Sequence, residues 1–177
     1  MSKKPLYIKN HRQQPDPWGC MYYSYAALTG DDSLLEHVRD CELMRFEIRV
    51  FGRGYVIRTV YVNGRDLCDR QFWEDFMAQW SHIRGYFRFL LAVPSVHYPG
   101  VVHCVAMVMD PVIDHVEISD PEEEEVQVMD IDRFLVSPYS LCYEVGHLQS
   151  ADLDKYPPIW GDEQPHAIAA IAERGDS

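Results

Sequence analysis

Paired cysteines are missing from this chain. Its five cysteines, Cys20, Cys41, Cys68, Cys104 and Cys142, are odd in number and widely scattered, with no CxxC pair. That excludes a disulfide framework and a thiolate zinc site, and it points to a reducing cytoplasm. HExxH is absent too, and the adjacent His103 and Cys104 point to opposite faces of a strand, so no metal or cofactor is expected. Gly52-Arg53-Gly54 precedes neither Lys-Ser/Thr nor a helix pattern, which removes a phosphate loop. No apolar run reaches membrane-spanning length. The first residues (MSKKPLYIKNHRQQ) carry charge without an apolar core, so a secretory signal is not expected there. Basic residues are scarce: 16 Lys and Arg face 28 Asp and Glu, for a net charge of −12. That balance argues against a nucleic-acid backbone or an anionic membrane surface as partner. It suits a basic peptide or protein, although solubility alone explains it equally well. Internal repeats are also lacking, and 177 residues fit one domain with a sizeable core.

What is present is concentrated between Gln14 and Gly30 (QPDPWGCMYYSYAALTG). A turn-rich run stops at Cys20, an apolar helix-length segment follows, and Gly30 ends it. A cysteine on the first turn of a buried helix meets unpaired N–H groups and the positive end of the helix dipole, which favour a nucleophilic sulfur. Gln14 lies six positions upstream of Cys20. A loop of that length can bring its amide beside the sulfur and, with the Cys20 N–H, form an oxyanion hole. The alternative is a structural cysteine opening a core helix, with Gln14 an ordinary loop residue.

Along the rest of the chain, Leu6–Lys9 reads as a short strand. Ser33 and Glu36 form a capping box for a second helix reaching about Leu43, with Cys41 in its core stripe. Residues 45–62 alternate and read as a β-hairpin tipped by Gly52-Arg53-Gly54, with Arg45, Arg49, Arg53 and Arg58 on a solvated or acid-binding face. Asn63-Gly64 is a turn, and Asp69 caps a helix carrying Phe72, Trp73, Phe76, Met77 and Trp80. Strands are expected over Tyr86–Val93, Val101–Met109, His115–Ser119, Val126–Met129 and Leu141–Val145. A short helix falls at Asp130–Val136, and Glu122–Glu125 read as a solvated turn. The domain is placed at 1–146, with 45–62 as an insertion and 147–177 as an acidic, proline-containing tail.

A thiol nucleophile needs a base and a group to orient it. If 101–109 and 115–120 form one hairpin turning at Pro111-Val112, His103 and Asp120 face each other across the ladder, about 5 Å apart. Imidazole beside carboxylate is the base-and-orienter arrangement. His103 also interrupts an apolar strand, where an unpartnered ring is costly; a backbone carbonyl is the other way to satisfy it. His97 lies in a loop without a carboxylate at hairpin spacing, and His115 sits at the turn end.

The order Gln14, Cys20 at the head of a helix, His103 opening an apolar strand, and Asp120-Pro121 after the return strand resembles the papain-like cysteine peptidases. It is most similar to their bacteriocin-processing, double-glycine branch, over roughly residues 5–146. The resemblance implies an α+β papain-like fold, its N-terminal Cys-bearing helix packed on an antiparallel sheet bearing His and Asp. It makes Cys20 the nucleophile, His103 the base and acid, Asp120 its orienter and Gln14 the oxyanion donor. The implied reaction is hydrolysis of a peptide or isopeptide bond through a Cys20 thioester. A small-residue preference such as Gly-Gly would come from a narrow channel near Trp18, Gly19, Met21, Tyr22 and Tyr23. Met21 stands where that branch usually has Gly, and leader-peptide export is not expected. The same constellation serves deamidases and acyltransferases, and a non-catalytic protein-binding module is the alternative of another class.

Overall fold

Two glycines set the limits of the first helix. Gly19 (φ 88°) and Gly30 (φ 75°) both lie in the left-handed region, and the Gly30 N–H closes the helix on Ala26 O at 2.8 Å. A side chain on Gly19 would also strike Val38, whose Cβ is 2.7 Å from where that first carbon would stand. Between the two glycines runs α1 (Cys20–Thr29), which buries Tyr22, Ser24, Tyr25, Ala26, Ala27 and Leu28. With apolar residues all round, it is an interior helix.

A computed structural model describes residues 6–62, 70–79 and 86–151. In chain order α1 is followed by α2 (Leu43–Gly52), β1 (Tyr55–Val62), α3 (Arg70–Gln79), β2 (Phe87–Pro94), β3 (Val102–Asp110) and β4 (His115–Ser119). Then come β5 (Gln127–Met129), α4 (Ile131–Leu135) and β6 (Glu144–Ser150). The architecture is α+β: a six-stranded sheet in the order β1-β6-β2-β3-β4-β5, antiparallel at every described pairing.

Strand alternation divides the core into two layers. Phe89, Leu91, Val105, Met107, Val116 and Ile118 face α3 and α4, where Trp73, Phe76 and Phe134 cover them. Leu90, Ala106, Val108 and Leu148 face α1 and α2, covered by Tyr22, Tyr25, Phe46 and Val50. Among the described residues no helix is long and apolar enough to cross a membrane.

Several sequence expectations need correction. Residues 45–62 are not a hairpin insertion but the helix α2 followed by β1. Phe46 and Val50, the buried pair, are four apart and share a helical face, a period that the simultaneous alternation of Phe46, Ile48 and Val50 obscures. Arg45 and Arg49, also one turn apart, both reach Asp40 within the chain. The second helix is reduced to a 3-10 turn at Leu35–His37, its Ser33–Glu36 box unformed, and Cys41 is exposed rather than core. The Ser33 N–H instead bonds Asp31, an Asx turn that competes with a helix start.

Residues 6–9 form no strand; Tyr7 and Ile8 instead donate their N–H groups to the Glu117 carboxylate at 2.9 and 2.8 Å. The last strand is β6, which runs through the 146 boundary to Ser150. The hydropathy drop after Gly146 misled because His147 and Gln149 are buried against each other, 2.7 Å apart. The Asn63-Gly64 turn, the Asp69 cap, Trp80 and residues 152–177 lie outside the described residues. The helix carrying Trp73 and Phe76, the short helix after Asp130 and the strands from Phe87 to Met129 form as expected, within a residue or two.

Candidate active site

The β3–β4 ladder joins Ala106–Asp110 to Ser119–His115 and goes no further, so Cys104 has no partner on β4. Residue 104 would otherwise leave a bare N–H and C=O at the sheet edge. Helix α1 supplies both partners from side chains one turn apart. Cys20 Sγ accepts from the Cys104 N–H at 3.4 Å, and Ser24 Oγ donates to the Cys104 carbonyl at 3.0 Å. The Cys20 sulfur therefore stands on the β3 edge that β4 vacates, held by a main-chain donor.

His103, on the opposite face of β3 from Cys104, meets that sulfur at the same edge. Its Nε2 lies 2.7 Å from Asp120 Oδ1, and the Cys20 side chain stands close enough to raise its pKa. With Nε2 committed to Asp120, Nδ1 is the nitrogen left for the sulfur. Asp120 is buried and fully engaged: Oδ1 also accepts from the Glu122 N–H at 2.9 Å, and Oδ2 from the Tyr139 hydroxyl at 3.1 Å. Gln127 Nε2 donates to Tyr139 Oη at 2.8 Å, which extends the chain of bonds.

The charges follow from these contacts. Burial alone would pull the His103 pKa down, but its bond to Asp120 and the nearby Cys20 outweigh burial and raise it to about 10. Burial works to raise Asp120, yet the bonds from His103, the Glu122 N–H and Tyr139 hold it below the ordinary carboxylate value. Burial, then the charge on Asp120, pushes the Tyr139 phenol up, so it stays a donor. Burial and the adjacent Cys20 push the Cys104 thiol well up, which leaves it a poor nucleophile beside a better-placed one.

His103 and Asp120 thus meet, though not across the ladder as expected. Asp110 pairs with His115, one residue further along than a Pro111-Val112 turn allows, and the same register extended would set His103 opposite Glu122. Asp120 reaches the ring because β4 ends at Ser119 and the chain swings across at Asp120-Pro121. Gln14 comes to this corner by its main chain: its N–H donates to Pro121 O at 2.7 Å, while its side-chain Oε1 is buried without a partner among the described residues.

A cleft of about 390 Å³ opens from Cys20, His103 and Cys104, and Trp18, Gly19 and Met21 line it. Tyr22 does not. It is fully buried in the core, with its hydroxyl accepting from Arg49 at 2.7 Å, because its position on α1 turns it toward α2. The proposed channel wall loses that residue. His97 is exposed and 3.4 Å from Glu123, and His115 is buried against Glu117 at 2.7 Å.

Sequence reasoning missed Tyr139 and Glu122. Tyr139 sits in a 3-10 turn at Pro138–Ser140 whose sequence carries no periodic signal. Glu122, expected in a solvated turn, has a side chain only 6% exposed; it accepts from Ser95 Oγ at 3.0–3.1 Å, and its Oε1 is 3.6 Å from His103 Nδ1. His103, Asp120 and Glu122 bring ligand-type atoms within 4.8 Å of one another. Those atoms already engage each other and Ser95, so a cation would have to displace the His103–Asp120 bond to bind.

No family model matches the chain, and no curated protein matches it either.

Proposed function

We propose that the chain is a papain-like cysteine peptidase, with Cys20 as nucleophile. The observation that carries this reading is the convergence of the Cys20 sulfur and the His103 ring at one sheet edge, the ring bonded to Asp120 and Asp120 to Tyr139. It is the nucleophile, base and orienter that acyl transfer requires.

In the proposed reaction the Cys20 sulfur, its proton on His103, attacks the carbonyl carbon of a bound peptide. A C–S bond forms, and the carbonyl π electrons move to oxygen. The Gln14 amide and the Cys20 N–H, free of the helix ladder at the first position of α1, receive that oxyanion. His103 then protonates the leaving nitrogen, the C–N bond breaks and a thioester remains. Water attacks the thioester, giving its proton to His103, and the C–S bond breaks to release the acid. Asp120 keeps the imidazolium oriented throughout.

The test is hydrolysis of fluorogenic peptides that differ at the two positions before the bond (Gly-Gly, Ala-Ala, Leu-Arg and Phe-Arg), with iodoacetamide labelling read by mass spectrometry. Turnover that vanishes in Cys20→Ala, together with Cys20 labelling ahead of Cys41 and Cys104, is the expected result. If no peptide is cut and the cysteines label alike, the reading is wrong.

A further inference from the structure

The cleft beside Cys20 runs across the sheet in a row fixed by register. Cys104 pairs with Ala92, and Ala92 pairs with Glu144, so these three residues stand side by side on β3, β2 and β6. At about 4.8 Å per strand, the Glu144 main chain lies about 10 Å from that of Cys104, and the Cys20 sulfur stands beyond Cys104, on the far edge of β3. Ala92 between them has a side chain too small to fill the trough. Ile57 and Leu43 add apolar walls, and Glu47 of α2 closes the far end together with Glu144.

This arrangement resting on the peptidase reading, we propose that the cleft recognises a substrate side chain with an apolar stem and a cationic head, lysine or arginine, at one of the two positions preceding the scissile bond, with Glu47 and Glu144 receiving the cation. Four observations support it. The cavity of about 390 Å³ is continuous with Cys20, and its middle is apolar where a methylene stem would lie. The arginines nearby on α2 are spent elsewhere, Arg45 on Asp40 and Glu42 and Arg49 on Asp40, so Glu47 has no cationic partner among the described residues. Burial, and after it the charge of Glu144, push the Glu47 carboxyl up, as expected of a partly buried carboxylate with a second one nearby. Among the described residues the Glu144 side chain accepts from Thr59 Oγ1 alone, at 3.1 Å, which leaves lone pairs for a second donor. An ammonium or guanidinium placed between the two would relieve the repulsion and form charge-assisted bonds to both.

The experiment uses chloromethyl ketones of acetylated dipeptides, with lysine or its neutral isostere norleucine at either position, and reads Cys20 alkylation by mass spectrometry. Labelling needs a reactive thiol and an occupied cleft but no turnover. The lysine reagent should label about ten- to hundredfold faster than the norleucine one, the range expected for one charge-assisted contact. The Glu47→Gln and Glu144→Gln double variant should lose that ratio while keeping the norleucine rate, which also certifies its fold. Equal rates in the native chain, or a lysine preference that survives in the double variant, would overturn the proposal. Lysine-preferring labelling without hydrolysis of any peptide would uphold the pocket and sink the peptidase reading. Peptide cleavage that favours Gly-Gly over lysine would do the reverse.

Discussion

The proton on His103 is held against burial. An imidazole that is 4% exposed favours the neutral form, yet the Asp120 carboxylate at 2.7 Å and the Cys20 contact reverse this. Folded, the group titrates near 10, above its unfolded value of 6.5. Its contribution to stability is therefore fully present below pH 6.5 and is lost as pH rises toward 10. On the peptidase proposal, the same shift would set the alkaline limb of activity, because a deprotonated His103 cannot protonate the leaving nitrogen. Since the Asp120 bond is the largest effect raising the pKa, Asp120→Asn should move that limb toward neutral pH while retaining a bond to Nε2 through the amide oxygen. A pH–kcat/KM profile checks this; an unmoved limb would mean that Asp120 does not set the His103 charge. Cys20→Ala and His103→Ala should abolish turnover, and Gln14→Ala should cost on the order of 10²–10³ in kcat. Cys20, His103 and Asp120 were legible as residues because each breaks its local pattern: a thiol at a helix start, an imidazole in an apolar strand, a carboxylate at a strand end. Tyr139 and Glu122 were not, since a tyrosine in a turn and one glutamate among four have no local pattern to break.

At the scale of elements, what misled was two periods fitting one stretch. Residues 43–52 satisfy strand alternation and helical spacing together, and tertiary contact decides between them: Phe46 meets Tyr22 edge-on at 5.0 Å between centroids. The strands β2, β3 and β4 were legible because they are buried on both faces and read as continuous apolar runs. Strand β6 was half-legible, for it carries buried polar residues. Its His147 lies among Phe76, Phe87 and Phe89, and burial, reinforced by Arg88 and Arg58, lowers its pKa to about 3. The unfolded chain takes up this proton near pH 6.5 and the folded chain only near 3, so stability falls as pH drops through that window. His147→Gln should flatten the acid limb of a denaturation profile by up to one proton. An unchanged slope would show that His147 is already charged in the fold. Gly146 in the same strand has no room for a side chain: an added Cβ would sit 2.6 Å from Ile57 Cγ2. Gly146→Ala should cost roughly 1–3 kcal/mol, and less in an Ile57→Ala background that removes the clashing methyl, measured as denaturation midpoints.

Across the whole molecule, the N-terminal segment is laid along one face of β4 and delivers Gln14 to the site. Alternate side chains of β4 hold it: Glu117 accepts from the Tyr7 and Ile8 N–H groups, and Ser119 Oγ lies 2.8 Å from His11 Nδ1. The next step along this track is the Gln14 N–H on Pro121 O, one residue past Asp120. Glu117 is fully buried and also bonds His115, so its carboxylate ties three donors together in the interior. In Glu117→Gln one oxygen becomes an NH₂ facing a main-chain N–H, which leaves a buried donor without an acceptor at a cost of about 1–3 kcal/mol. Because that loss loosens the segment upstream of Gln14, kcat should fall with KM little changed, as expected when an oxyanion donor is displaced and substrate contacts are kept. Adding Gln14→Ala to Glu117→Gln should then lower kcat further by much less than Gln14→Ala does alone, since both act on one donor. Independent, multiplying effects in that double-mutant cycle would show that the clamp stabilises the fold without positioning the site.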